Sequence, residues 1–191
     1  MSMRGLLACL FADWSPTIGD PTLTGWITVA AYLGTSCLSV MVLYRHSGKL
    51  RLFWLGLAIL LVMLAVNKQL DLQSALTAAG RCLAKAQGWY EDRRTVQIAF
   101  ILTIVGFCCV VGALLLWVMR REVSLIWPAL IGIVGLLAFI AIRAAGFHHF
   151  DQFIGVKFGG FRMNVILELG GALFIAINAI VLLWVKEKPR P

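Results

Sequence analysis

Between Thr24 and Tyr44 the chain runs for 21 residues without a charged side chain. At ~1.5 Å per residue, a helix of that length covers the roughly 30 Å hydrocarbon layer of a bilayer. No water is available there to satisfy backbone polar groups, so the segment must be helical. Four further runs, at about 52–71, 95–119, 123–142 and 163–185, repeat the pattern. The second has only 15 purely apolar residues, Leu52 to Val66. A full crossing therefore draws Asn67, Lys68 and Asp71 into its last turns; a re-entrant segment would leave four spans instead of five. Hydrophobic residues make up 61% of the chain and charged ones 14%, a balance suited to lipid as solvent. The expected fold is all-α: a polytopic helical membrane bundle forming one integral domain over residues 1–191.

Residues 72–87 read as an interfacial amphipathic helix outside the bundle, with Leu72, Leu76, Ala79 and Leu83 on one stripe and Gly88 as C-cap. Asp20-Pro21 reads as the entry to the first span, with the acid as N-cap. Met1 to Ala12 reads as an interfacial anchor. The five cysteines show no C-x-x-C spacing and suggest no disulfide framework. Five spans put the termini on opposite sides. The stretches 45–51, 120–122 and 186–191 fall on one side and hold eight Lys/Arg in 16 residues, while the other nine are spread over the opposite side. The positive-inside rule then places the N-terminus outside and the C-terminus in the cytoplasm.

The net charge of +8 does not signal nucleic acid, because the basic residues flank apolar runs and do not interleave with aromatics. No ionisable residue falls at mid-span, which argues against an ion-coupled transporter and against a retinal lysine. Adjacent His148 and His149 do not suit a bis-histidine haem. No nucleotide signature is present.

The unusual polar residues instead collect at the external edge. Asn67, Lys68 and Asp71 close the second span, Arg93 and Arg94 open the third, and Arg143 closes the fourth. His148, His149 and Asp151 follow, and Asn164 and Glu168 stand at the outer end of the fifth. Counting back from Lys186 puts Glu168 about 27 Å in, just inside the hydrocarbon edge, where a carboxylate must be paired, protonated or metal-bound. Asp71, His148, His149, Asp151 and Glu168 are the candidate acid–base set. Asn67, Lys68, Arg93, Arg94, Arg143 and Asn164 are candidates for holding substrate. A divalent metal would use His149, Asp151 and Glu168. The competing reading is interhelical clamping, as Lys68 with Glu168 or Asp71 with Arg143.

The stretch Arg143-Ala-Ala-Gly-Phe-His-His149-Phe-Asp151 resembles the third motif of the membrane lipid-phosphatase (type 2 phosphatidic acid phosphatase) superfamily. The Arg143-to-His149 spacing matches. Asp151 stands two residues earlier than the family's aspartate, and the Pro-Ser-Gly-His motif is absent. The resemblance implies a histidine nucleophile acting on a lipid phosphate. The Asn67–Gln73 stretch also resembles small bacterial multi-pass membrane proteins, which implies a bacterial inner membrane.

Two functions remain open from sequence. One is a membrane-embedded hydrolase or binding protein for an anionic headgroup or lipid-linked substrate at the outer leaflet. The other is a non-catalytic subunit, paired with a membrane protein or with its own copies. Its polar layer would be interhelical glue, and Gly132–Gly135 and Gly170–Gly171 would be its close-packing steps.

Overall fold

The computed structural model describes residues 3–15, 18–145, 157–158 and 161–184. Among the described residues seven α-helices follow in order: α1 Met3–Asp13, α2 Leu23–Arg45, α3 Gly48–Leu70, α4 Leu72–Gln87, α5 Arg93–Val118, α6 Val123–Ala145 and α7 Met163–Trp184. A short 3-10 turn, Tyr90–Asp92, precedes α5. Before α7, Lys157–Phe158 pairs antiparallel with Phe161–Arg162. Helices α2, α3, α5, α6 and α7 are long and apolar enough to cross a membrane. The all-α, five-span architecture expected from the uncharged runs is the one found, with α4 at the expected residues.

Two helix entries differ from expectation. The cap of α2 is Thr22, whose hydroxyl accepts the Gly25 N–H at 3.2 Å. Asp20 sits two residues earlier and accepts the Thr22 N–H and hydroxyl. That leaves its second carboxylate oxygen to point elsewhere. Helix α3 begins at Gly48, not Leu52, so the basic loop shrinks to His46–Ser47. Lys49 and Arg51 lie exposed in its first turns, at a depth where water still solvates them. The helix therefore has 23 residues and crosses fully, without the re-entrant alternative.

At the other end of α3, Asp71 adopts φ 46° and ψ 51° and turns the chain sharply into α4. A residue with a side chain enters this left-handed region only when its surroundings hold it. Here the Asp71 amide donates to the Asn67 carbonyl at 2.9 Å, and the Gly19 amide donates to the Gln69 carbonyl at 2.6 Å. A Cβ on Gly19 would lie 2.8 Å from that of Asp71, so only glycine allows this approach.

The core lies among α2, α3, α6 and α7, with α2 between α3 and α7, and α7 between α2 and α6. Trp54, Leu61, Ile126, Leu136 and Ile175 are fully buried there. Gly132 and Gly171 let α6 and α7 meet: a Cβ on Gly132 would lie 2.5 Å from the Gly171 carbonyl oxygen. Gly135 and Gly170 face open space instead. Pro128 stands inside α6, just past its first turn. Beside it, Asn178 of α7 donates to the Leu125 carbonyl at 2.8 Å and accepts the Ala129 N–H at 3.3 Å. A side-chain amide thus serves the backbone where proline weakens the ladder.

Helix α5 contacts α6, yet none of the described side chains in its apolar stretch is buried. Helix α1 packs on α4 outside the bundle, and a disulfide joins Cys9 to Cys82 across 73 residues. This corrects the expectation of no disulfide. The Cα–Cα distance of 6.1 Å suits the bond, which no local spacing could have announced. Cys37, Cys108 and Cys109 are free.

Candidate functional site

Helices α2 and α7 begin, and α3 and α6 end, at the same edge of the bundle, so their polar terminal residues share one depth. The meeting point is a cleft of about 330 Å³. Asp20, Asn67, Lys68, Asp71, Asn164 and Glu168 supply its polar wall, and Tyr32, Leu64, Phe139 and Ile140 its apolar floor.

Lys68 organises the wall. Its ammonium donates to Glu168 Oε2 at 2.7 Å, with side-chain exposures of only 5% and 6%. The free oxygen of Asp20 approaches the same ammonium at 3.4 Å. An ammonium or a carboxylate alone at this depth would be costly, whereas the pair compensates much of its desolvation. Burial pushes the Asp20 carboxyl upward. The hydrogen bonds from Thr22 and the charge of Lys68 outweigh that and hold it below its ordinary value. A Cβ on Gly25 would lie only 2.4 Å from the Asp20 carboxyl carbon, so this glycine is what lets the acid fold back over the start of α2.

The remaining groups are partly committed. Asp71 accepts the Ser74 hydroxyl and so anchors the start of α4. Asn164 accepts the Val165 N–H at 2.7 Å. The described wall thus presents hydrogen-bonding groups and three carboxylates, of Asp20, Asp71 and Glu168, around the one ammonium of Lys68.

Five residues singled out from sequence meet here: Asn67, Lys68, Asp71, Asn164 and Glu168. Arg94 is exposed at the start of α5 and does not line the cleft. The side chains of Arg93 and Arg143, and all of His148, His149 and Asp151, lie outside the described residues. Among the described residues no group of three or more His, Cys, Asp or Glu could hold a metal ion. Glu168, one of the three residues expected to bind metal, faces an ammonium at hydrogen-bonding distance instead.

Sequence reasoning missed Asp20, Thr22 and Tyr32. The available signal for Asp20 was an acid beside a span at the same edge as Lys68, and assigning it as a cap concealed that. Comparisons with models of known families, with curated proteins and with solved structures returned no match to this chain.

Proposed function

We propose that this multi-pass membrane protein binds a small polar molecule or headgroup in the cleft at its outer edge. The N-terminus would face outside and the C-terminus the cytoplasm. The observation that carries the reading is the cleft itself. A layer serving only as glue would be closed, whereas this one leaves about 330 Å³ between polar wall and apolar floor, within the range of small-ligand sites. The orientation draws support from the Lys/Arg distribution and from the Cys9–Cys82 disulfide, because disulfides persist in oxidising compartments. A bacterial inner membrane, with its outer face toward the periplasm, fits both.

The engaged carboxylates favour binding over acid–base catalysis by the described residues. A hydrolytic role would fall to His148, His149 and Asp151, acting with Asp71. Helix α6 supports that extension only by its path, since it continues past the cleft-lining Phe139 and Ile140 to Arg143 and Ala145. Native mass spectrometry of protein extracted without delipidation tests the binding claim. A small molecule or lipid should be retained, and Asn67→Ala/Asn164→Ala should lose it. An empty wild-type protein, or equal retention by both, would count against the cleft.

A second reading, a non-catalytic subunit, is favoured by α5. A spanning helix with no buried residue among the described ones in its apolar stretch offers a face to a partner helix or to a second copy of the chain. Cross-linking through Cys108 and Cys109 in native membranes would reveal such a neighbour.

A further inference from the structure

The Cys9–Cys82 bond ties α1 to α4 across 73 residues. On α1, Gly5 and Cys9 are half-buried, and Leu7, Ala8, Phe11 and Ala12 are exposed. Among the described side chains of α1, burial that slight contributes little free energy. On α4, Cys82 is buried, 2% exposed, beside buried Ala78. The covalent link makes the packing of α1 on α4 an intramolecular contact.

The segment after α1 gives that link a consequence. Gly19, Asp20, Pro21 and Thr22 form one rim of the cleft. Gly19 donates to the last turn of α3 through Gln69, and Asp20 reaches Lys68 from the same strip. The rim is thus strung between two anchors: the cap of α2 at Thr22, and α1 with its disulfide. Removing the second anchor leaves it held by the cap at Thr22 and by its own contacts with Gln69 and Lys68.

We propose that the disulfide is a redox latch on the rim of the cleft. With the bond formed, Gly19 rests on Asp71 and Asp20 sits against Lys68. A dithiol, either an extracytoplasmic thiol–disulfide exchange protein or an added reductant, attacks the half-buried Cys9 sulfur. Two electrons and two protons pass to Cys9 and Cys82, the S–S bond breaks, and the reductant leaves as its own disulfide. Helix α1 then moves along the membrane surface on its tether, and the rim lifts. Lys68 keeps Glu168 but loses Asp20 for part of the time, so the bundle stays folded while the cleft widens. This holds whether or not the cleft binds a ligand.

Hydrogen–deuterium exchange on the full chain in lipid nanodiscs tests the latch, with and without a membrane-permeant dithiol. Reduction should speed exchange of the segment containing Gly19 by about tenfold or more, as expected for local opening. The mid-membrane amides of α2, α3 and α7 should be unchanged. Cys9→Ser/Cys82→Ser should show the fast rate without reductant. Equal rates at Gly19 in both redox states would overturn the proposal. So would acceleration throughout the bundle, which would make the bond a staple of the whole fold. Alkylation of Cys9 or Cys82 in the native protein before reduction would overturn it too, since the latch would then never close.

Discussion

The two edges of the bundle carry the same kinds of charged side chain and put them to opposite uses. At the cleft edge, Lys68 turns inward to Glu168 and Asp20, and the polar groups around it leave a cleft. At the opposite edge, basic residues turn outward along the surface and close helix ends. Arg45 donates to the Leu183 carbonyl at 2.6 Å and Lys49 to the Val118 carbonyl at 3.2 Å. Between those caps the interior is filled by Val42, Phe53, Trp54, Met119 and Ile126. A cation facing water is cheap and serves the nearest unpaired carbonyl. A cation drawn into the bundle must bring its counter-charge with it. The contrast shows where the chain bears the cost of burying polar groups, and that place is the proposed binding cleft.

The comparison breaks most sharply at Lys68. Lys68→Ala strands Glu168 and should destabilise the protein by about 3–5 kcal/mol, read from unfolding in mixed micelles. Lys68→Met/Glu168→Leu should recover most of that loss. At the opposite edge Arg45→Ala should cost under about 1 kcal/mol, because its partner carbonyl remains near water.

Between these extremes lies the α6–α7 seam. Gly132→Ala pushes against backbone and should cost about 1–3 kcal/mol, whereas Gly135→Ala, facing open space, should be close to neutral. A large effect at Gly135 would place an unseen neighbour on that side of α6. Asn178→Leu should cost about 1 kcal/mol, the usual scale for a hydrogen bond between membrane helices.

The smallest expected effect is in pH. The carboxyl of Asp20 is held below its ordinary value of 3.8, so the folded state favours its charged form. Its stabilising contribution is present above the unfolded pKa and disappears as pH falls through the folded one. Stability of the cleft edge should therefore decline below about pH 4, and Asp20→Asn should remove this part of the pH dependence. A loss beginning near neutral pH would assign the titration to another group.

The two edges also differ in how far the sequence disclosed them. Spans, and helix 72–87, were legible because uncharged runs of bilayer length and a capping Gly88 are local signals. The depth of Glu168 was legible by counting rise per residue, and that made Lys68–Glu168 a nameable pair. The start of α3 was not, since Lys49 and Arg51 in a first helical turn look like loop residues. Asp20 was hidden by its own plausibility as a cap. The disulfide and the Gly132–Gly171 contact depend on segments 73 and 39 residues apart, and no local pattern reports such pairings. Of the candidate site, the residues at helix ends were readable from their depth. Those of the Gly19–Thr22 rim became visible only once α1 and α4 were seen together.

The central claim is that the polar layer around Lys68 is an open cleft facing outward. Asn164→Cys, in a protein with Cys37, Cys108 and Cys109 replaced by serine and the disulfide retained, reports on it directly. A membrane-impermeant maleimide added to intact cells should label position 164, and should leave an otherwise identical protein carrying Ser39→Cys, a fully buried position, unmodified. Labelling of position 164 only after the membrane is permeabilised would contradict the orientation, and no labelling even then would contradict the cleft.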